Sequence, residues 1–184
     1  MAVNLLAREK KGTEQHAICE FLKIIRPQIE SMGLKISDQK NLPYTNFCSK
    51  VDKNGYGINY KKGQKPYTVD VLIYRELENE EIIPLVVIEG KIKSYTTHDV
   101  LAYSEKAKTH KNIFPHLQYG FLVLEADHDK FRKYYYMHEQ FDFAEIFPKN
   151  EAIKENETRI NNFVAELKKQ IELAESKYAL FFNN

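Results

Sequence analysis

Three stretches constrain the fold of this 184-residue chain more than any other feature: YTVDVLIYR (67–75), IIPLVVIEGKIK (82–93) and LQYGFLVLEA (117–126). Each is rich in β-branched and aromatic residues and reads as a strand. They are almost continuously apolar, the pattern of strands covered on both faces by helices. The covers are visible too. TEQHAICEFLKII (13–25) sets Ala17, Ile18, Phe21, Leu22 and Ile25 at helical spacing, with Thr13 as the cap and Arg26-Pro27 as the expected end or kink. THDVLAYSEKAKTH (97–110) reads as a second helix with Val100, Leu101 and Ala107 turned inward. Ile160, Phe163, Val164, Leu167, Ile171, Ala174 and Tyr178, at steps of three and four, mark a long C-terminal helix over about 154–180.

Pro84 should sit near the start of the second strand, where a missing N–H does least harm. Tyr134 to Met137 is a candidate fourth strand, and FDFAEIF (141–147) a loop or short helix. Residues 31 to 66 read as a solvated loop with a short strand near Tyr56 to Tyr60. The expected fold class is α/β, a mixed β-sheet flanked by helices with a long C-terminal helix. The length fits a single domain over 1–184, with its core at about 12–137.

Composition narrows the functional classes. With 27 basic and 26 acidic side chains the formal net charge is +1, so no global basic field announces a nucleic-acid partner. A local basic face is still compatible with that total. Cys19 and Cys48 have neither zinc spacing nor a disulfide framework. His110 and His116 read as surface or loop histidines rather than a zinc site. The N-terminal MAVNLLAREKKG is too short in apolar residues for a signal peptide, and nothing approaches a membrane-spanning run. The expectation is a soluble, cytoplasmic protein with no membrane partner.

The chemistry lies where the second strand ends. After Val86, Val87 and Ile88 come Glu89, Gly90 and Lys91, and buried strands seldom carry charges unless these are paired or bind a metal. If the first two strands form an antiparallel hairpin turning between Asn79 and Glu80, Arg75 faces Pro84, Ile73 faces Val86, and Asp70 faces Glu89. Side chains alternate faces, so Asp70, Glu89 and Lys91 converge on one edge of one face. A one-residue slip would send Asp70 to the other face. Two carboxylates so close repel unless a positive charge lies between them. Lys91 neutralises one; a divalent cation neutralises both. Mg²⁺ suits such a site, with one or two carboxylates, water and substrate phosphate oxygens around it. The Gly90 carbonyl is a further candidate ligand. A purely structural charge cluster that fixes the strand ends is the competing reading.

At these residues the chain resembles the PD-(D/E)xK nuclease superfamily, which includes many type II restriction endonucleases, Holliday-junction resolvases and RecB-like nucleases. The motif is Val69-Asp70, eighteen residues, then Glu89-Gly90-Lys91, within helix, hairpin, helix and strand over roughly residues 12–126. Val69 stands where the family has proline. The resemblance implies a restriction-endonuclease-like αβα core. It makes Asp70 and Glu89 metal ligands, Lys91 the catalytic lysine, and Mg²⁺ the cofactor, with Mn²⁺ as a substitute. It also implies a further acidic residue on the first helix: Glu14, one turn before Ile18, is the first choice, and Glu20 the second. Asp99 and Tyr103 have the spacing of the Gln-x-x-x-Tyr of RecB-like members, with Asp in place of Gln.

The implied substrate is double-stranded DNA, cut by a homodimer if both strands of a palindrome are severed; the apolar stripe of the C-terminal helix is a possible interface, although packing on its own core is the simpler use. Lys35, Lys40, Lys50, Lys53, Lys61, Lys62 and Lys65 on one side, and Lys93, Lys106, Lys108 and Lys111 on the other, are the candidate phosphate contacts. Asn54, Asn59, Gln64 and Lys65 are candidate base-edge readers, and Tyr134, Tyr135 and Tyr136 either stack on bases or enter the core. The expected function is a Mg²⁺-dependent DNA endonuclease of the sequence-specific type II restriction-enzyme kind. The alternatives are a structure-specific or repair nuclease of the same fold and a non-catalytic nucleic-acid-binding domain.

Overall fold

The structure is a computed structural model and describes residues 14–43, 51–52, 66–78, 81–127, 139–149 and 153–182. The elements in chain order are α1 (Glu14–Glu30), β1 (Lys35–Leu42), β2 (Val51–Asp52), β3 (Tyr67–Glu76) and β4 (Glu81–Ile92). They are followed by α2 (Thr97–Ile113), β5 (Gln118–Ala126), β6 (Phe143–Pro148) and α3 (Ile153–Phe182). The chain is α/β. Its mixed sheet runs β1-β3-β4-β5-β6, with the two-residue β2 paired to β4. The β1–β3 and β3–β4 pairs are antiparallel; β4–β5 and β5–β6 are parallel.

Both faces of the sheet are covered, which is why β4 and β5 carry almost unbroken apolar sequence. On one face Ile18, Phe21, Leu22 and Ile25 of α1 and Phe163, Val164, Leu167 and Ile171 of α3 pack with Val71, Ile73 and Ile88. On the other, Val100 and Ala107 of α2 pack with Leu72, Val87, Tyr119 and Phe121. The apolar stripe of α3 is therefore packed on the chain's own core. The core also extends past residue 137, through Phe143, Phe147 and α3.

Several expectations need correction. Helix α1 continues past Pro27 to Glu30. Pro27 lies on the exposed side of the helix, as does Lys23 one turn earlier, whose carbonyl is the one left without a helical donor. Leu101 points outward, 49% exposed, while Val100 and Ala107 are fully buried. Residues 35–42 are strand and not loop: KISDQKNL is too polar to look like one, but among the described residues it is an edge strand paired to β3 alone. FDFAEIF also contains a strand, β6, whose parallel pairing to β5 decides its conformation. Gly120 makes room for it, since a Cβ there would stand 2.2 Å from the Phe143 ring. His110 and His116 are both fully buried rather than on the surface. The His116 Nε2 lies 2.8 Å from the Pro84 carbonyl, beneath the rings of Tyr178 and Phe182. Pro84 is buried at the fourth position of β4, opposite a bulge between Ile73 and Tyr74. The expected strands at 56–60 and 134–137, Thr13 and Cys48 lie outside the described residues.

Candidate active site

The β3–β4 hairpin fixes where the charges fall. Val71 pairs with Ile88, Leu72 with Val87 and Ile73 with Val86, the register expected from the sequence. Nearer the turn the bulge shifts it by one, so Arg75 faces Ile83 and not Pro84. In the other direction the β3–β4 ladder ends at Val71 and Ile88. Beyond it β3 runs on to Tyr67 beside β1, and β4 runs on to Ile92 beside β5. The sheet thus opens into a fork, with Asp70 on one arm and Glu89, Gly90 and Lys91 on the other.

Asp70 bridges the arms. Its Oδ2 accepts the Gly90 N–H at 2.9 Å, and its Oδ1 accepts the Gln39 side-chain amide at 3.2 Å. Gly90 is small for a packing reason: a Cβ there would lie 2.6 Å from Ile18 Cδ1, so α1 crosses close over this point. The N–H of Gly90 is turned toward the fork. Along a strand a residue's C=O points to the same side as its N–H.

Glu89 is 1% exposed. Its Oε1 accepts the Tyr119 hydroxyl at 2.8 Å, and its Oε2 lies 3.6 Å from the Lys106 ammonium. Burial, and after it the nearby Asp70 carboxylate, push Glu89 up to about 8 against the pull of Lys106 and of the Tyr119 hydroxyl. Lys106 itself lies over the rings of Tyr67 and Tyr103, 4.0 and 4.4 Å from their centroids. Behind Tyr119, His110 stacks at 5.8 Å, and burial first, then Lys106, lower its pKa to about 4.

Lys91 reaches both helices. Its ammonium is 3.4 Å from Glu14 of α1 and 3.6 Å from Asp99 of α2. It also sits 5.2 Å from the centre of the Tyr103 ring. Burial pulls the Lys91 pKa down, but Tyr103, Glu14 and Asp99 outweigh it and hold it above the ordinary lysine range. Asp99 serves two partners. One oxygen takes the Thr96 N–H and hydroxyl, each at 2.7 Å, in the capping box that starts α2. The other faces Lys91.

The fork therefore gathers Asp70, Glu89, Gly90 and Lys91, with Glu14 attached through Lys91. Glu20 does not join them; it pairs with Lys23 on the exposed surface of α1. Among the described residues, no three His, Cys, Asp or Glu side chains cluster as a metal-binding group, and Glu14 meets Lys91. Two contributors, Gln39 and Tyr119, had no local signal in the sequence, and two more, Lys106 and His110, stood out only for other roles. Their spacing to the motif is set by the sheet and by the β4–α2–β5 crossover. Asp99 and Tyr103 did stand out by spacing, and both meet Lys91. Among the candidate phosphate contacts, Lys106 is drawn into the fork and Lys111 is bound to Asp142 at 2.7 Å. Lys35, Lys93 and Lys108 are exposed, and Lys40 lies over the Tyr74 ring. The remaining lysines and the base-reader candidates fall outside the described residues. No described helix is long and apolar enough to cross a membrane. No protein-family model matches the chain, and no curated protein matches it.

Proposed function

We propose that this chain is a Mg²⁺-dependent DNA endonuclease of the PD-(D/E)xK kind, a small sequence-specific restriction enzyme that hydrolyses phosphodiester bonds. The observation that supports this most is the fork itself: two carboxylates from adjacent strands at a point where the sheet opens, with a charged lysine two residues along one arm.

The donor set suits a hard cation. Asp70 and Glu89 offer carboxylate oxygens, and the Gly90 carbonyl is on the fork side, whereas soft thiolate ligands are absent from the group described. A pair of carboxylates without a third leaves positions for water and phosphate oxygens, as Mg²⁺ prefers. Both carboxylates are oriented by outer partners, Gln39 and the Gly90 N–H on one and Tyr119 and Lys106 on the other. Bound there, Mg²⁺ would polarise a phosphoryl oxygen and make a coordinated water more acidic.

The chain's own groups divide the remaining work. Lys91, kept protonated by Glu14 and Asp99, is suited to hold developing negative charge and to orient the attacking water, rather than to remove its proton. Exposed Lys93 and Lys108, near the fork and on α2, are suited to backbone phosphates of a duplex. Cutting both strands of a palindrome would require a second copy of the chain, docked elsewhere than on the buried stripe of α3.

The test is incubation with supercoiled plasmid and phage DNA in Mg²⁺, beside Asp70→Asn and Lys91→Ala. Discrete bands from the wild type and losses of about 10²-fold or more in both variants are expected. Equal cutting by all three proteins removes the assignment. No cutting of DNA or RNA with Mg²⁺ or Mn²⁺ leaves a binding domain as the better reading.

A further inference from the structure

We propose that Gln39 is a positioning residue for Asp70, held in a left-handed backbone conformation at the edge of the sheet so that its amide meets that carboxylate. The inference rests on the nuclease reading for its effect on turnover, and on geometry alone for the contact.

Gln39 has φ +48°, a region that favours glycine and, less strongly, asparagine. It lies within β1 and not in a turn. The β1–β3 ladder is regular on both sides of it: Asp38 pairs with Val71 and Lys40 with Val69, in one unchanged register. The single missing pair within that ladder is Gln39 with Asp70. The irregular step inserts no residue in either chain. Where the backbone pair is lost, a side-chain contact replaces it, Gln39 Nε2 to Asp70 Oδ1 at 3.2 Å.

The other Asp70 oxygen is held by the Gly90 N–H across the fork. The carboxylate is thus held from β1 on one side and from β4 on the other. Strain kept at one residue, aimed at one functional side chain, is the pattern of a site whose geometry is held at the expense of local stability. Gln39 itself is exposed, and past it the two strands change faces together, Leu42 and Val69 packing on the α2 side where Ile36 and Val71 pack on the α1 side.

Gln39→Gly separates the two roles, because glycine adopts this φ freely but has no amide. Three experiments are needed: thermal unfolding of the metal-free protein, Mn²⁺ affinity by calorimetry, and steady-state kinetics (kcat and KM) on a plasmid substrate. The expected result is a Tm equal to or above wild type, Mn²⁺ affinity about tenfold weaker, and kcat about tenfold lower with KM for DNA unchanged. A lower Tm, or wild-type metal affinity and kcat, overturns the proposal. If the wild type neither binds Mn²⁺ nor cuts nucleic acid, the nuclease reading fails by itself. The Asp70 carboxyl ¹³C resonance of the metal-free protein then decides the contact: a shift in Gln39→Gly supports it, and an unmoved resonance overturns it.

Discussion

The Lys106 ammonium on α2 stands 3.6 Å from Oε2 of Glu89 on β4, inside a wall formed by Tyr67 and Tyr103. One partner of this pair is almost wholly buried and the other is 13% exposed, so neither charge is well served by water. Breaking a buried pair from one side leaves the other charge uncompensated unless it takes up a proton. Lys106→Met should therefore cost about 3 kcal/mol at pH 9, where Glu89 is ionised, and distinctly less at pH 6, where it is not. Urea unfolding at the two pH values measures the difference; an equal loss at both would mean that the ion pair contributes nothing.

The pH dependence of stability follows from three buried groups. Glu89 rises from 4.5 to about 8 on folding, so the folded state holds a proton that the unfolded state has lost, and stability falls as pH rises through that window. His110 and His116 both fall from 6.5 to about 4, mainly through burial, so the stability they share is complete above pH 6.5 and is lost as pH falls toward 4. Each group contributes up to about 1.4 kcal/mol per pH unit within its window. Two histidines outweigh one glutamate below pH 6.5, and Glu89 acts alone above it. The stability maximum should lie near pH 6.5, and Glu89→Gln should flatten the alkaline side. Thermal unfolding at pH 5, 6.5 and 8.5 checks it; a steady rise across that range contradicts the Glu89 assignment.

Gly90→Ala should destabilise the protein by roughly 1–3 kcal/mol, because the new methyl meets Ile18 Cδ1 at 2.6 Å and Cγ1 at 3.1 Å. The clash is with the flexible end of a side chain, so Ile18→Val, which removes Cδ1, should recover part of the loss. A double-mutant cycle should give a coupling of at least about 0.5 kcal/mol. Simple additivity would show that α1 does not press on the fork.

Glu14 and Glu20 lie six residues apart on α1 and have different ion-pair partners. Glu14 neutralises Lys91, whereas Glu20 binds Lys23 on the surface. On the nuclease reading, Glu14→Gln should lower kcat about tenfold by loosening Lys91, and Glu20→Gln should leave it within a factor of two. Cleavage rates for the pair decide the point: equal behaviour would remove Glu14 from the site.

Long-range pairing explains what could and could not be read locally. Strands β3, β4 and β5 and the helices α1, α2 and α3 were legible because each carries its own period or its own continuous apolar run. The approach of Asp70 to Glu89 and Gly90 was legible because an antiparallel hairpin relates residues by simple counting; the count held from Ile73–Val86 to Val71–Ile88, and the ladder ends before the expected Asp70–Glu89 pair. The count failed on the turn side, where one irregular step at Ile73 and Tyr74 moved Arg75 opposite Ile83. Strands β1 and β6 escaped because an edge position relaxes the demand for apolar sequence, so KISDQKNL and FAEIFP have no strong strand pattern.

The residues alone determined that a covered mixed sheet would form and that two carboxylates and a lysine would share one of its edges, since strand alternation and hairpin counting are local rules. Only the tertiary structure decided how those charges are held. Lys106 and Tyr119 reach Glu89 from the helix and strand that follow it, Glu14 reaches Lys91 from a helix 77 residues earlier, and Gln39 reaches Asp70 from a neighbouring edge strand. Such contacts depend on the crossing of α1 over β4 and on the β4–α2–β5 connection. No period in the chain encodes them, because they arise from packing between elements whose separation in sequence is unrelated to their distance in space.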